Sequence, residues 1–343
     1  MKKFASPCSI SRSPGTGRRV PSLRNALWMM VGVALAAEAA FASPREKVLF
    51  DTDIGGDPDD GLALVYLLKE PRCELLGVTT VGGRPERTAR VASALCHSLG
   101  RGDVPIHAGS SHPILRGRDL EAIARKQAAW DEELRRWPHA EITNDHSAVE
   151  FMRRTIRANP GEVTLCATGP FSNVAALFAV DPEIPSLLKR LVLMGANFRE
   201  KQSEWNALAD VLATAVVLEG GFRKPPKELV LASFDATSRW CLSQKDARVF
   251  LARSPDLAFV AGYYAEQWFT LPYGLGFHDP VVAVAIFHPE VLTTVDSAVR
   301  VDLDDMGKTT RVAPGGDSTW IWKTSTSVDF AKFREAFFGV LSK

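Results

Sequence analysis

The stretch Lys47-Val48-Leu49-Phe50-Asp51-Thr52-Asp53-Ile54-Gly55-Gly56-Asp57-Pro58-Asp59-Asp60-Gly61 puts five aspartates within ten residues, directly after a short apolar run. The apolar residues 48–50 read as a buried strand. Glycines and Pro58 then break the pattern, and Leu62-Ala63-Leu64-Val65-Tyr66-Leu67-Leu68 follows as a helix-like segment. A strand that ends in clustered carboxylates at a tight turn makes an oxygen-rich pocket at the carboxyl edge of a sheet, where open α/β folds bind ligands. So many negative charges repel one another unless a cation joins them, and all-oxygen donors call for a hard divalent metal.

Working outward, the same theme recurs. Residues 74–81, 104–106, 162–167, 190–195 and 228–231 are apolar, strand-like runs, and residues 87–99 show one apolar face at helical spacing. A helix is expected from about Asn173 and another over 281–287, with Pro280 suited to its first position. Strands spaced by helices imply right-handed crossovers and an α/β fold, a mostly parallel central sheet flanked by helices. Towards the end, residues 298–303 and 308–312 suggest a small β-hairpin, and 328–341 a closing amphipathic helix. Residues 114–145 carry no strand signal and mix Trp130, Trp137, Arg135 and Arg136 with acids. Such an insertion suits a substrate loop or a plain surface helix.

The 343 residues contain 46% hydrophobic and 24% charged side chains, enough for a sizeable core. Residues 1–25 are polar and basic, residues 26–40 are apolar, and Ala40-Phe41-Ala42 has the small-x-small form of a signal-peptidase site. Glu38 interrupts an apolar run already short for a membrane anchor. The expectation is therefore a signal peptide over 1–42, cleaved near Ala42, with one catalytic domain over 43–343, exported to the periplasm or beyond and without a membrane anchor. Arg18-Arg19 suits twin-arginine as well as general export. Cleavage leaves 35 basic and 39 acidic side chains, and no basic stripe that would bind nucleic acid. Cys73, Cys96, Cys166 and Cys241 lack CxxC spacing and are expected to be buried free thiols.

Further strand-end motifs accompany the first. They are Thr168-Gly169-Pro170-Phe171-Ser172-Asn173, Leu193-Met194-Gly195, Glu204-Trp205-Asn206 with Asp210 beyond it, and His278-Asp279-Pro280. In this order they resemble the inosine–uridine-preferring nucleoside hydrolase family across essentially the whole mature chain. Its opening motif, Asp-x-Asp-x-Gly-x-Asp-Asp, stands here two residues longer. The resemblance implies an open Rossmann-like fold and calcium-dependent hydrolysis of the N-glycosidic bond of ribonucleosides to ribose and free base. It implies Ca2+ held by Asp53, both oxygens of Asp60, Asp279 and the carbonyl of Thr168. Calcium takes six to eight oxygens, which leaves room for two ribose hydroxyls and a water.

The resemblance also implies Asp53 as general base, Asp59 on the 2′-hydroxyl, and Glu204 and Asn206 on the remaining ribose hydroxyls. Asn197 is the candidate for the 5′-hydroxyl, and Met194 either packs beneath the sugar or is a core residue. His278 is the candidate proton donor to the departing base. Phe198, Trp205, Tyr263, Tyr264 and Trp268 are either stacking surface for the base or core. A homo-oligomer is in keeping with the family. Three departures stand out. Asp57 is an additional carboxylate without an assigned part, Ala196 replaces a family glycine in a shortened 194–204 stretch, and no His-Gly-rich loop is recognisable between Gln127 and His146. Two other readings compete. One is a nucleoside- or ribose-binding protein of the same fold without turnover. The other is a haloacid-dehalogenase-type phosphatase, suggested by Asp51-x-Asp53.

Overall fold

In the sheet, Val48 and Phe50 of β1 (Glu46–Thr52) point to one face while Leu49 points to the other, and all three are buried. A strand apolar on both faces needs helices on both sides, the condition of a parallel α/β sheet. The computed structural model describes residues 44–115, 117, 131–143, 146–199, 202–221, 223–264, 268–270, 274–315 and 320–342. The signal-peptide expectation over 1–42 lies outside them, as does most of 114–130. Residues Arg45–Lys343 form one compact unit. No helix among the described residues is long and apolar enough to cross a membrane.

The remaining strands are β2 (Cys73–Thr80), β3 (Ile106–Ala108), β4 (Val163–Ala167), β5 (Arg190–Met194), β6 (Glu228–Ala232), the short β7 (Cys241–Leu242) and β8 (Leu275–Gly276), β9 (Leu292–Asp302), β10 (Lys308–Val312) and β11 (Trp322–Val328). The main sheet runs β10-β9-β11-β6-β5-β4-β1-β2-β3. Its part 3-2-1-4-5-6 is all parallel, the doubly wound order whose direction of winding reverses between β1 and β4. On the Phe50 face lie α1 (Pro58–Lys69), α2 (Pro85–Ser98), and the later helices α7 (Ala258–Tyr263), α8 (His278–Phe287) and α9 (Phe330–Leu341). On the Leu49 face lie α3 (Ala148–Ala158), α4 (Ser172–Val180) and α6 (Val211–Glu219), the last preceded by the short α5 (Trp205–Ala209). Each buried Leu, Val or Phe in these two layers contributes about 1.5–3 kcal/mol.

The carboxy-terminal region has the expected hairpin and closing helix, and adds a strand between them. β9 and β10 do pair antiparallel, but β9 starts earlier, and β11 is a strand that pairs antiparallel with β9 and parallel with β6. Its core is Thr324-Ser325-Thr326-Ser327, which carries no apolar alternation. The hydroxyls are buried by pairing instead: Ser297 with Thr324 at 2.8 Å, and Ser233 with Ser325 at 3.1 Å. Two further expectations are corrected. Helix α8 begins at His278, so Pro280 is its third residue rather than its first, still where a missing N–H breaks no helical bond. All four cysteines are free, but Cys241 is exposed because it sits on the marginal β7–β8 ribbon.

Candidate active site and cation centre

The carboxylates converge because three chain ends meet where the strand order reverses. β1 and β4 are neighbours with Asp51 opposite Ala167, and the Thr168 N–H extends the pairing by donating to the Asp51 carbonyl at 2.9 Å. Asp53 and Thr168 therefore leave the sheet side by side. Pro58 starts α1, which puts Asp59 and Asp60 in its first turn, and α8 places Asp279 in its own first turn. Helix N-termini favour negative charge, and Asp59 shows it by accepting bonds from the backbone N–H groups of Asp279 and His278. Carboxylate oxygens of Asp59, Asp60 and Asp279 lie within 4.8 Å of one another, all three buried.

Neutral groups complete the centre. Asp60 Oδ1 accepts the hydroxyls of Thr52 and of Thr168, the latter at 3.1 Å. Asn206 Nδ2 donates to the Thr168 carbonyl at 2.7 Å and to the Met194 carbonyl at 3.2 Å, with the Met194 sulfur at 3.8 Å. Glu204 caps α5 by accepting the Ala207 N–H at 3.0 Å and also accepts the Ala196 N–H. That second bond holds Ala196 at φ 66°, a left-handed conformation that suits the glycine of the family motif. A Cβ on Gly169 would lie 2.8 Å from the Asp53 nitrogen, so only glycine lets the β1 and β4 ends approach.

Burial first, and repulsion from the other carboxylates next, raise the proton affinity of Asp60 and Asp279 far above the usual carboxylate range. Asp53 and Asp59 are raised too, again chiefly by burial. Burial also pushes Glu204 up to about 7. A divalent cation relieves both terms at once, and every donor here is a hard oxygen, so the residues fit calcium. The structure brings Asp59 into the cluster, although the family resemblance placed it on the sugar. The signal for this is its position one residue before Asp60 in a helix's first turn.

The other expected residues have varied surroundings. His278 is half-buried, takes a 2.8 Å bond at Nδ1 with the Thr237 hydroxyl, and stacks on Phe234. Burial lowers its pKa to about 4, so the ring is neutral near pH 7. Asn197 is buried and ties to β10 through its N–H and the Thr309 hydroxyl at 2.9 Å, while its Nδ2 donates to the Gln202 carbonyl. Tyr263, Tyr264 and Trp268 are core, and Trp205 is 40% exposed. Phe198 lies under the Arg311 guanidinium at 4.1 Å. Asp51 is fully buried, its Oδ1 accepting from Thr79 at 2.5 Å and Asn173 at 2.8 Å. A side chain so enclosed cannot attack a phosphate, which removes the basis of the phosphatase reading.

Two residues that carry structure at the site have no role that their sequence context reveals. Asn173 links Asp51 to the Thr80 carbonyl (2.9 Å) and to the Ser110 N–H (2.8 Å). Asp210 accepts the Ser172 hydroxyl at 2.6 Å, the Ile114 N–H at 2.9 Å and the Ala213 N–H at 3.0 Å. Most of these partners lie far away along the chain, so spacing could not disclose them.

Residues 48–335 match the family model of the inosine-uridine preferring nucleoside hydrolase. Uridine nucleosidase 1 of Arabidopsis thaliana is 30% identical over 274 residues, covering 75% of this chain and 79% of that protein. A pyrimidine-specific ribonucleoside hydrolase of Citrobacter koseri is 29% identical over 271 residues, covering 74% and 83%. Among solved structures, a purine-preferring ribonucleoside hydrolase from Gardnerella vaginalis superposes with a TM-score of 0.71 at 24% identity, covering 86% of this chain and 98% of that one. An inosine-uridine preferring nucleoside hydrolase from Bacillus anthracis does so at 0.68 and 20%, covering 86% and 99%. With its strand-end carboxylates meeting at one sheet edge and the family model spanning nearly all of the described fold, the chain belongs to the inosine-uridine preferring nucleoside hydrolase family, a family of N-glycosyl hydrolases.

Proposed function

We propose that this protein hydrolyses the N-glycosidic bond of ribonucleosides, releasing ribose and free base, with calcium as its resident cation. The observation that carries the proposal is the buried triad Asp59, Asp60 and Asp279, with Asp53 and the Thr168 carbonyl beside it at the sheet's switch point. Those five residues would hold the ion. When bound, calcium supplies a fixed positive charge that orients vicinal hydroxyls and makes a water easier to deprotonate.

The chain's own residues do the rest. Asp53 keeps some exposure while its charge interacts with the buried acids, which suits a base that takes a proton from water. Glu204 and Asn206 are fixed by backbone bonds and hold the sugar hydroxyls, an orientation set before substrate arrives. Several carboxylates around the anomeric carbon favour the positive charge that builds there as the bond to the base breaks. His278, neutral and oriented by Thr237, faces the departing base as a hydrogen-bond donor. Met194 packs under the sugar, and Asn197 serves the 5′-hydroxyl. We also propose export to the periplasm or beyond after removal of residues 1–42, tested by amino-terminal sequencing of protein recovered from that fraction.

A reducing-sugar assay over purine and pyrimidine ribonucleosides, with added calcium or with chelator, tests the activity. Ribose release that stops on chelation and returns with calcium is the expected outcome. Nucleoside binding by calorimetry without any ribose release favours the non-catalytic binding protein instead.

A further inference from the structure

The loop that bears Asp53 is longer than the family form, and side chains from remote elements flank it. Gly55 adopts φ 112°, and a Cβ built on it would stand 3.3 Å from Arg87 Nη1, 3.4 Å from Val91 and 3.6 Å from the Tyr263 hydroxyl. The Arg87 side chain is only 3% exposed. Its Nε donates to Asp131 Oδ1 at 2.6 Å and its Nη2 to the Tyr263 hydroxyl at 2.7 Å. Arg84 reaches the other Asp131 oxygen at 3.2 Å. At the loop's far end, Trp268 Nε1 donates to Asp57 Oδ1 at 3.1 Å. The Gly55–Asp57 turn is thus flanked on one side by Arg87 and Tyr263, which leave room for no more than a methyl at Gly55, and bonded on the other by Trp268.

Arg87 comes from α2 and Asp131 from a separate helical turn, Asp131–Leu134, whose Leu134 is buried. Nearby, Trp137 packs edge-on against Phe259 of α7 at 5.1 Å. A guanidinium has a planar fork that loses its orientation when one carboxylate partner is removed. Gly55, beside which it lies, is two residues from Asp53 and three from the start of α1, so a shift there alters the spacing between Asp53 and the Asp59–Asp60 pair.

We infer that Arg87 is a positioning residue for the cation centre: held by Asp131 and Tyr263, it braces Gly55 and so sets the distance from Asp53 to Asp59 and Asp60. Asp57 has the matching part at the other shoulder through Trp268. The inference rests on the calcium reading above. It assigns control of metal affinity to an ion pair that contributes no ligand.

The test measures calcium affinity by titration calorimetry on the full mature chain, for the wild type, Asp131→Asn and Arg87→Lys, beside the thermal midpoint of each in chelator. Asp131 is not a member of the carboxylate cluster, is partly exposed, and keeps its shape as asparagine. The expected result is a calcium Kd raised at least tenfold in both variants, with the Asp131→Asn midpoint in chelator within about 2 °C of wild type. A part in general stability alone predicts the reverse, a lowered midpoint with unchanged Kd, and that result overturns the inference. Wild-type binding with both variants within twofold of it overturns the inference while leaving the calcium site standing. Absence of calcium binding by the wild type overturns both.

Discussion

Replacing Asp60 by asparagine separates the cost of the carboxylate cluster from its use. Asn keeps an Oδ1 acceptor for the Thr52 and Thr168 hydroxyls, so the change is chiefly one of charge. Two carboxylates 4.8 Å apart repel by about 3.5 kcal/mol at an effective dielectric constant of 20. Asp60 faces Asp59 and Asp53 as well as Asp279. Proton uptake limits the penalty. At pH 7 it cannot exceed about 4.5 kcal/mol, the gap between pH 7 and the ordinary value of 3.8 at about 1.4 kcal/mol per pH unit. Asp60→Asn is therefore expected to stabilise the metal-free protein by about 2–4 kcal/mol, or about 4–8 °C in a domain of this size. The same change removes a ligand, so the rise in midpoint on adding calcium should vanish, along with ribose release. Differential scanning calorimetry at pH 7, in chelator and in calcium, gives all the midpoints. A variant less stable than wild type in chelator, or one that keeps the full calcium shift, refutes the reasoning.

Other perturbations follow from the same geometry. The folded protein raises Glu204 from 4.5 to about 7 and Asp51 from 3.8 to about 7, mainly through burial. The native state therefore binds these protons more tightly than the unfolded chain. Stability from them is absent above about pH 8, grows as pH falls through 7, and is complete below about pH 4. Urea midpoints in chelator should rise from pH 8 to pH 5.5, and a fall contradicts the assignment. Ala196→Gly relieves a left-handed alanine worth about 1–2 kcal/mol and returns part of it in chain entropy, for a net gain of about 0.5–1 kcal/mol by urea unfolding. Gly169→Ala drives a methyl against the Asp53 nitrogen and Val81, each 2.8 Å away. Catalytic efficiency should drop by about 10²-fold or more, with the circular dichroism spectrum retained.

Much of the fold and of the site is legible in the amino-acid sequence. Runs such as 48–50 and 191–194 are apolar on both strand faces, and that property by itself requires flanking helices and a parallel sheet. The aspartates of 51–60, Thr168, Glu204, Asn206 and Asp279 announce themselves as strand ends and helix starts, which local sequence encodes. What local sequence cannot encode is which ends meet. Only the strand order 3-2-1-4-5-6 brings the end of β1 beside Thr168, and only the packing of α8 against α1 aims its N-terminus at Asp59 and draws that residue into the carboxylate cluster. β11 escapes a sequence reading because its buried hydroxyls look polar until their partners on β9 and beside β6 are known. Asp57 has no visible purpose along the chain because its partner, Trp268, is 211 residues away. The residue types that do chemistry are written in the sequence. Their distances, the proton affinities that burial imposes and the brace from Arg87 exist only once the chain has folded, because each depends on groups remote along it.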